Sequence, residues 1–148
     1  MPFIFIVNDI SLGKNIISAP QVVNSLLDRS IWLFNPIAPK LKEIKENEKI
    51  LVYIAGKGRR YFYADFEIAG QVQELTSIEN LQIEKLTGLF SLFCSIRDIK
   101  RWQKPLRIED IKEELEFIVD QKNWGLFFRQ SIKKISINDF NFIINQPH

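Results

Sequence analysis

The chain has 148 residues, 46% hydrophobic and 12% aromatic, enough for one domain with a substantial core and too few for two ordinary ones. Its 20 Lys and Arg against 18 Asp and Glu leave a net charge of only +2, which excludes a polycation that coats any anionic surface, so nucleic-acid contact must be focused on a local patch. The single cysteine, Cys94, excludes an internal disulfide, and the apolar opening stretch, residues 2–7, lacks a basic lead and is far too short to span a bilayer; a soluble, cytoplasmic single domain over residues 1–148 with no membrane partner is expected.

Residues 2–7 are β-branched and aromatic and close on Asn8-Asp9, which reads as a first strand and a turn. Ser18-Ala19-Pro20-Gln21 has the spacing of a capping box, and Val22, Val23, Leu26 and Leu27 then fall on one helical face that ends near residues 28–30. Ile31-Trp32-Leu33-Phe34 is a strand stopped by Asn35-Pro36, because proline pushes the residue before it out of helical geometry. A polar, lysine-rich turn or short helix follows over residues 39–48. Ile50-Leu51-Val52-Tyr53-Ile54-Ala55 is a buried strand, and Gly56-Lys57-Gly58 supplies a hairpin turn into Tyr61-Phe62-Tyr63. Gly70 marks a bulge where a barrel strand bends, and Thr76 with Glu79 offers another helix start. Strand character resumes over residues 89–99, with Cys94 as a core thiol among Leu92, Phe93 and Ile96. A basic segment comes next, Arg97, Lys100, Arg101, Lys104 and Arg107, punctuated by Trp102 and Pro105. Residues 108–120 are acidic with Ile111, Leu115, Ile118 and Val119 near helical spacing, which predicts a helix with a solvated anionic face. Trp124-Gly125-Leu126-Phe127-Phe128-Arg129-Gln130 sets rings before a cation and an amide, with Phe127 and Phe128 read as packing. A short strand over 132–135 and a helix capped by Ser136 close the chain. Short strands with a few short helices predict an α+β fold, a small, partly open mixed β-barrel flanked by helices.

Enzyme chemistry finds little material. The only histidine is His148 at the C-terminus, where chains commonly fray; no Cys or His cluster has metal-ligand spacing, and there is no phosphate loop, nucleophile elbow or dinucleotide fingerprint. Neither catalysis nor a metal nor a cofactor is expected. Binding is better supplied: cations interleave with aromatics at Lys57, Arg59, Arg60, Tyr61 and Phe62, and again around Trp102. Cations engage phosphates while rings stack on unpaired bases, a combination suited to single-stranded or extruded nucleotides.

The order of these pieces resembles the EVE domain of the PUA-like superfamily, a relative of the YTH readers of methylated adenine, over roughly residues 19–144. A first helix leads into the tryptophan of Ile31-Trp32-Leu33, a lysine-rich turn runs into Ile50-Leu51-Val52-Tyr53, Lys104-Pro105-Leu106 precedes the acidic stretch, and Leu115-Glu116-Phe117-Ile118-Val119-Asp120-Gln121-Lys122-Asn123-Trp124 is similar to the "L-x-F-I-x-N-K-x-x-W" segment. The resemblance implies DNA or RNA carrying a modified base, methylated adenine or modified cytosine, held in an aromatic pocket whose first wall is Trp32. Leu86-Thr87-Gly88-Leu89-Phe90 stands where relatives carry a second cage tryptophan, so the opposing ring falls to Trp124, Trp102, Phe34 or Tyr53, with Leu33 and Asn35 beside it. Arg129 then matches a phosphate contact and Gln130 a base-edge reader, with Lys57, Arg59 and Arg60 as further phosphate ligands. A partner nuclease or AAA+ motor is implied as well. The alternative is a PUA-like domain that binds a small molecule or a protein without nucleic acid.

Overall fold

The computed structural model describes residues 1–75 and 90–148, and for Leu12, Leu126 and Phe127 the backbone alone. The helix start predicted at Thr76 and the stretch 86–89 lie outside the described residues. Six strands form one hydrogen-bonded path. β1 (Phe3–Val7) is its hub, paired in parallel with β5 (Lys49–Ile54) and antiparallel with β9 (Ile132–Lys134). From β5 the path continues through β6 (Tyr61–Ile68) and the 16-residue β8 (Leu92–Arg107) to β4 (Ile31–Phe34), and β7 (Gln73–Glu74) adds to the start of β8.

The sheet is buried on both faces at its centre, which is why β1 and β5 read as unbroken apolar runs. Phe3, Phe5 and Val7 with Ile50, Val52 and Ile54 enter one core cluster, whereas Ile4, Ile6, Leu51 and Tyr53 enter a second. These are the two faces, because strand side chains alternate. Between β5 and β6 the register slips, Val52 pairing with Ala64 but Tyr53 with Phe62. The extra residue, Tyr63, switches parity, so Phe62 joins the second face while Ala64, Phe66 and Ile68 join the first.

The basic segment is a continuation of β8, which runs on to Arg107 instead of ending near residue 99. Asp65 pairs with Lys100 but Glu67 with Arg97, so β8 carries an extra residue where Asp98 adopts φ 53°. A second slip lies between the pairs Phe62–Leu106 and Ala64–Arg101. Bulges bend a strand and increase its twist, and here they curl the sheet into a half-barrel left open between β4 and β9. Gly70 lies past the end of β6, in the bend before β7, instead of bulging within a strand.

Helix α1 (Ala19–Asp28) has the predicted capping box: Ser18 Oγ accepts from Gln21 N at 3.3 Å, and Ser18 N donates to Gln21 Oε1 at 3.2 Å. Its buried face is Val22, Val23, Leu26 and Leu27. Ahead of it a hairpin that local sequence signals did not predict joins β2 (Ile10–Leu12) to β3 (Asn15–Ile17), turning at Gly13 with φ 62°.

The acidic helix does not form. Residues 108–120 make two single 3₁₀ turns, Ile108–Asp110 and Lys112–Glu114, that bury Ile108, Ile111, Leu115 and Ile118 and leave Val119 81% exposed. A competing acceptor explains the difference. Asp139, 2% exposed in helix α2 (Ile137–Ile144), takes the backbone N–H of Glu116 at 2.8 Å and of Phe117 at 3.1 Å, two donors a longer helix would have used internally. Ser136 caps α2 by accepting from Asp139 N, as its spacing predicts.

Candidate nucleic-acid pocket

A cavity of about 320 Å³ opens between α1, β4 and the end of β1, at the lower end of the range for small-ligand sites, about 300–1,000 Å³. Helix α1 contributes Val22 and Leu26 to its wall, and β4 contributes Trp32, Leu33 and Phe34. Trp32 is only 6% exposed. Phe5 lies 5.5 Å away at 37° and Phe66 5.4 Å away at 40°, so the indole is braced from behind by two rings and lines the cavity with what remains. Phe34 meets Phe5 edge-on. Asn35, which ends β4, also lines the cavity; its side-chain oxygen accepts from Ile37 N at 3.0 Å and its carbonyl from Ala38 N at 3.0 Å, fixing the exit loop.

Among the described residues Asp9 is the one charged residue in the lining. Its Oδ1 accepts from Ala19 N at 2.8 Å, at the start of α1, and from Arg59 Nη2 at 2.8 Å. The Ala19 N–H first, and the Arg59 guanidinium second, hold its carboxyl below the usual carboxylate range. In the sequence Asn8-Asp9 reads only as a turn. The available signal was an acidic residue two positions after an unbroken apolar strand, a place where loop side chains sit over the end of a sheet.

The predicted pocket residues divide between the two faces. Trp32, Leu33, Phe34 and Asn35 come together around the cavity. Tyr53, Trp102 and Trp124 pack with the other cluster, beyond the sheet from it. Tyr53 is 1% exposed and stacks on Phe128 at 4.2 Å, and burial raises its hydroxyl pKa. Trp102 donates Nε1 to Asp65 Oδ2 at 2.8 Å and is covered by the His148 ring at 4.0 Å and 11°, so the C-terminal histidine is placed by stacking and not frayed. Trp124 is half-buried with Arg60 5.7 Å and Lys112 5.6 Å from its ring centre. The ring that does join Trp32 and Phe34 in the lining is Phe90, the last residue of the stretch compared above with a cage motif.

The predicted phosphate ligands also separate. Lys57 is exposed at the β5–β6 turn, and Arg59 reaches from the same turn to Asp9. That turn needs Gly56, because its φ of 113° is a conformation L side chains rarely adopt; a Cβ there would also displace the Arg59 guanidinium, 2.5 Å away. Arg60 lies over Trp124 on the far face. Arg129 and Gln130 are exposed immediately before Ser131, which lines the cavity and whose carbonyl accepts from Ile6 N. In β8, Arg97 pairs with Glu67 and Arg101 with Asp28, so two cations of the basic segment are already neutralised. Cys94 is fully buried opposite Trp32 in the β4–β8 ladder, its thiol pushed up to about 12 by burial. Among the described residues no three His, Cys, Asp or Glu side chains meet as a metal site would require, and no helix is long and apolar enough to cross a membrane.

No family model matches the chain, and no curated protein matches it. Solved structures do. The DUF55 domain of human thymocyte nuclear protein 1 aligns with TM-score 0.61 at 10% identity, over 97% of this chain and 96% of that one. Human THYN1 protein in complex with DNA containing 5-methylcytosine aligns with TM-score 0.61 at 11% identity, over 96% and 94%. The N-terminal domain of Staphylothermus marinus McrB aligns with TM-score 0.59 at 11% identity, over 97% and 93%. At such identities the likeness establishes the fold, and it does so over nearly the whole length of each of these three structures.

Proposed function

We propose that this chain, which has the PUA-like fold of an EVE-type domain, is a reader of modified bases in DNA, taking an unpaired or extruded methylated base into the Trp32 cavity. One observation carries the proposal: a cavity with aromatic walls whose single charged group, Asp9, is an acceptor held ionised. The human THYN1 protein bound to 5-methylcytosine DNA supports it as a structural neighbour. Stacking on Trp32 replaces the neighbours a base loses on leaving the helix. A methyl group buried against the apolar wall adds about 0.8 kcal/mol.

Asp9 gives the pocket a chemical criterion. An ionised carboxylate only accepts hydrogen bonds, so it takes the exocyclic amine of cytosine or adenine and is repelled by the carbonyl oxygen that thymine or uracil presents at the same place. 5-Methylcytosine and thymine carry the same methyl and differ at that edge. Lys57 and Arg129, both exposed, hold flanking phosphates, and Arg59 spans Asp9 and the backbone of the bound strand. The module marks a modified site for a partner nuclease or AAA+ motor; the McrB neighbour is an N-terminal domain, which supports a module of this fold joined to further chain.

The experiment is a binding panel of single-stranded DNA and RNA with 5-methylcytosine, N6-methyladenine, cytosine or thymine at one position, repeated with Asp9→Asn. Asparagine keeps an oxygen for Ala19 N but also presents a donor, so the preference for 5-methylcytosine over thymine should fall about tenfold. Affinity for the DNA should also decline steeply with salt, as phosphate neutralisation requires and a neutral ligand would not show. Equal binding of modified and plain oligonucleotides by the parent protein would sink the proposal.

A further inference from the structure

Ile37 is 85% exposed, more than any other large hydrophobic side chain among the described residues. It stands on the loop leaving β4, between Asn35 and Ala38, and both of those residues line the cavity. Asn35 holds the loop from its side chain and its carbonyl, and Pro36 and Pro39 restrict it further. Other exposed hydrophobics stand elsewhere. Ile16 pairs with Ser11 on the outer face of the β2–β3 hairpin, its neighbours Ile10 and Ile17 facing the core, and Val119 follows the 3₁₀ turns that cover the second face. Among the described residues Ile37 is the exposed apolar side chain that stands on a loop between two residues lining the pocket that contains Trp32.

We infer that Ile37 is a wedge for double-stranded DNA, entering the base stack at the gap left when the modified base swings into the Trp32 cavity. The inference rests on the base-reader proposal and deepens it by naming the duplex as the ligand. A duplex that gives up a base is left with an unstacked hole, and apolar side chains inserted between base steps are how proteins fill such a hole. Isoleucine suits this role, having no polar atom to be stranded between bases and, being β-branched, a stiff χ1. Its place between two cavity-lining residues puts wedge and pocket on one short loop, so both reach the same nucleotide step. A single strand has no gap to fill and gains nothing from it.

The test compares the parent protein with Ile37→Ala on a 5-methylcytosine oligonucleotide, as a single strand and as a duplex, with 2-aminopurine beside the modified base to report unstacking. Duplex affinity is expected to fall about tenfold in Ile37→Ala while single-strand affinity changes less than about twofold, and a duplex mispaired at the modified base, which opens at lower cost, should recover most of the loss. The 2-aminopurine signal of the duplex should fall with the affinity. Parallel losses on both forms, an unchanged duplex affinity, or a parent protein that binds only single strands would each overturn the wedge and leave the pocket standing. A parent protein with no preference for the modified base in either form would overturn the reader proposal itself. Because Ile37 is exposed, its truncation leaves the fold intact, which a thermal melt of the variant confirms.

Discussion

Trp32 belongs both to the core and to the cavity, so a single substitution there disturbs two properties, and their sizes can be separated. Truncating a large buried aromatic to alanine costs about 3–5 kcal/mol, and Trp32→Ala also forfeits the ring contacts to Phe5 and Phe66. Against a total stability of about 5–15 kcal/mol, that is a large fraction, and it should lower the melting temperature by about 6–20 °C for a chain of this size. A loss of binding by this variant therefore says little. Trp32→Phe is the informative change: it keeps an aromatic ring against Phe5 and Phe66, costs about 1–2 kcal/mol, and shrinks the surface on which a base can stack. Thermal unfolding followed by circular dichroism would give the first quantity, and binding of methylated and plain single strands well below the midpoint would give the second. We expect Trp32→Phe to stay folded and to lose several-fold in affinity for both strands, more for the methylated one, since the methyl loses part of its wall. Parent-like affinity and selectivity in a folded Trp32→Phe protein would refute the assignment of this cavity to the base. A Trp32→Ala loss below about 1 kcal/mol, far under the usual cost of core truncation, would refute the bracing itself.

Two further predictions concern the scaffold. Asp139→Ala leaves the N–H groups of Glu116 and Phe117 without their acceptor and should cost about 2–4 kcal/mol in urea unfolding, whereas Asp139→Asn keeps one acceptor and should cost about half as much; equal costs would mean the two bonds do not both form. Cys94 has its thiol raised from 9.0 to about 12, so the folded protein keeps a proton that the unfolded chain releases. Its contribution is complete below pH 9 and is lost as pH rises toward 12, by up to about 1.4 kcal/mol per pH unit. Cys94→Ala should flatten that alkaline decline relative to the parent, and a slope identical to the parent's would show that the thiol is not shielded.

The elements that were legible in the sequence are those whose signals are local. The capping box at Ser18 and the cap at Ser136 need only three residues of context, and both are present as read. β1, β4 and β5 are short runs closed by turn residues. What failed depended on distant partners. Ile111, Leu115 and Ile118 have the spacing of a helix face and are buried, yet the carboxylate that diverts their backbone into 3₁₀ turns lies more than twenty residues downstream. In β8 the bulge at Asp98 breaks the two-residue alternation, so strand character reads as ending near residue 99 although the strand runs on to Arg107. The candidate site suffered in the same way. Trp32 does line a cavity, but nothing local tells that Tyr53 and Trp102 point across the sheet, because that parity is set by register, and between Val52 and Tyr53 the register itself shifts.

The division of the sheet explains why three tryptophans meet two fates. A sheet buried on both faces needs two covers, and here the covers differ in kind. The 3₁₀ turns and α2 close the second face with specific polar ties, Asp139 to two backbone donors and Trp102 to Asp65, and with the Tyr53–Phe128 stack. Trp102 and Trp124 are used up in that closure. On the first face α1, the β2–β3 hairpin and the loop after β4 cover the core incompletely, and the shortfall is the cavity at Trp32. The surrounding groups are nevertheless rigidly placed. Asp9 follows the strand that is paired on both sides, and Trp32 sits in a ladder with its indole braced by two rings. A cavity that was merely a packing fault would have no reason to carry an ionised acceptor tied to a helix N–H and to an arginine. Precise placement of a few polar and aromatic groups around a void is what a recognition site requires, and the cavity at Trp32 has it in Asp9, Trp32 and Phe34.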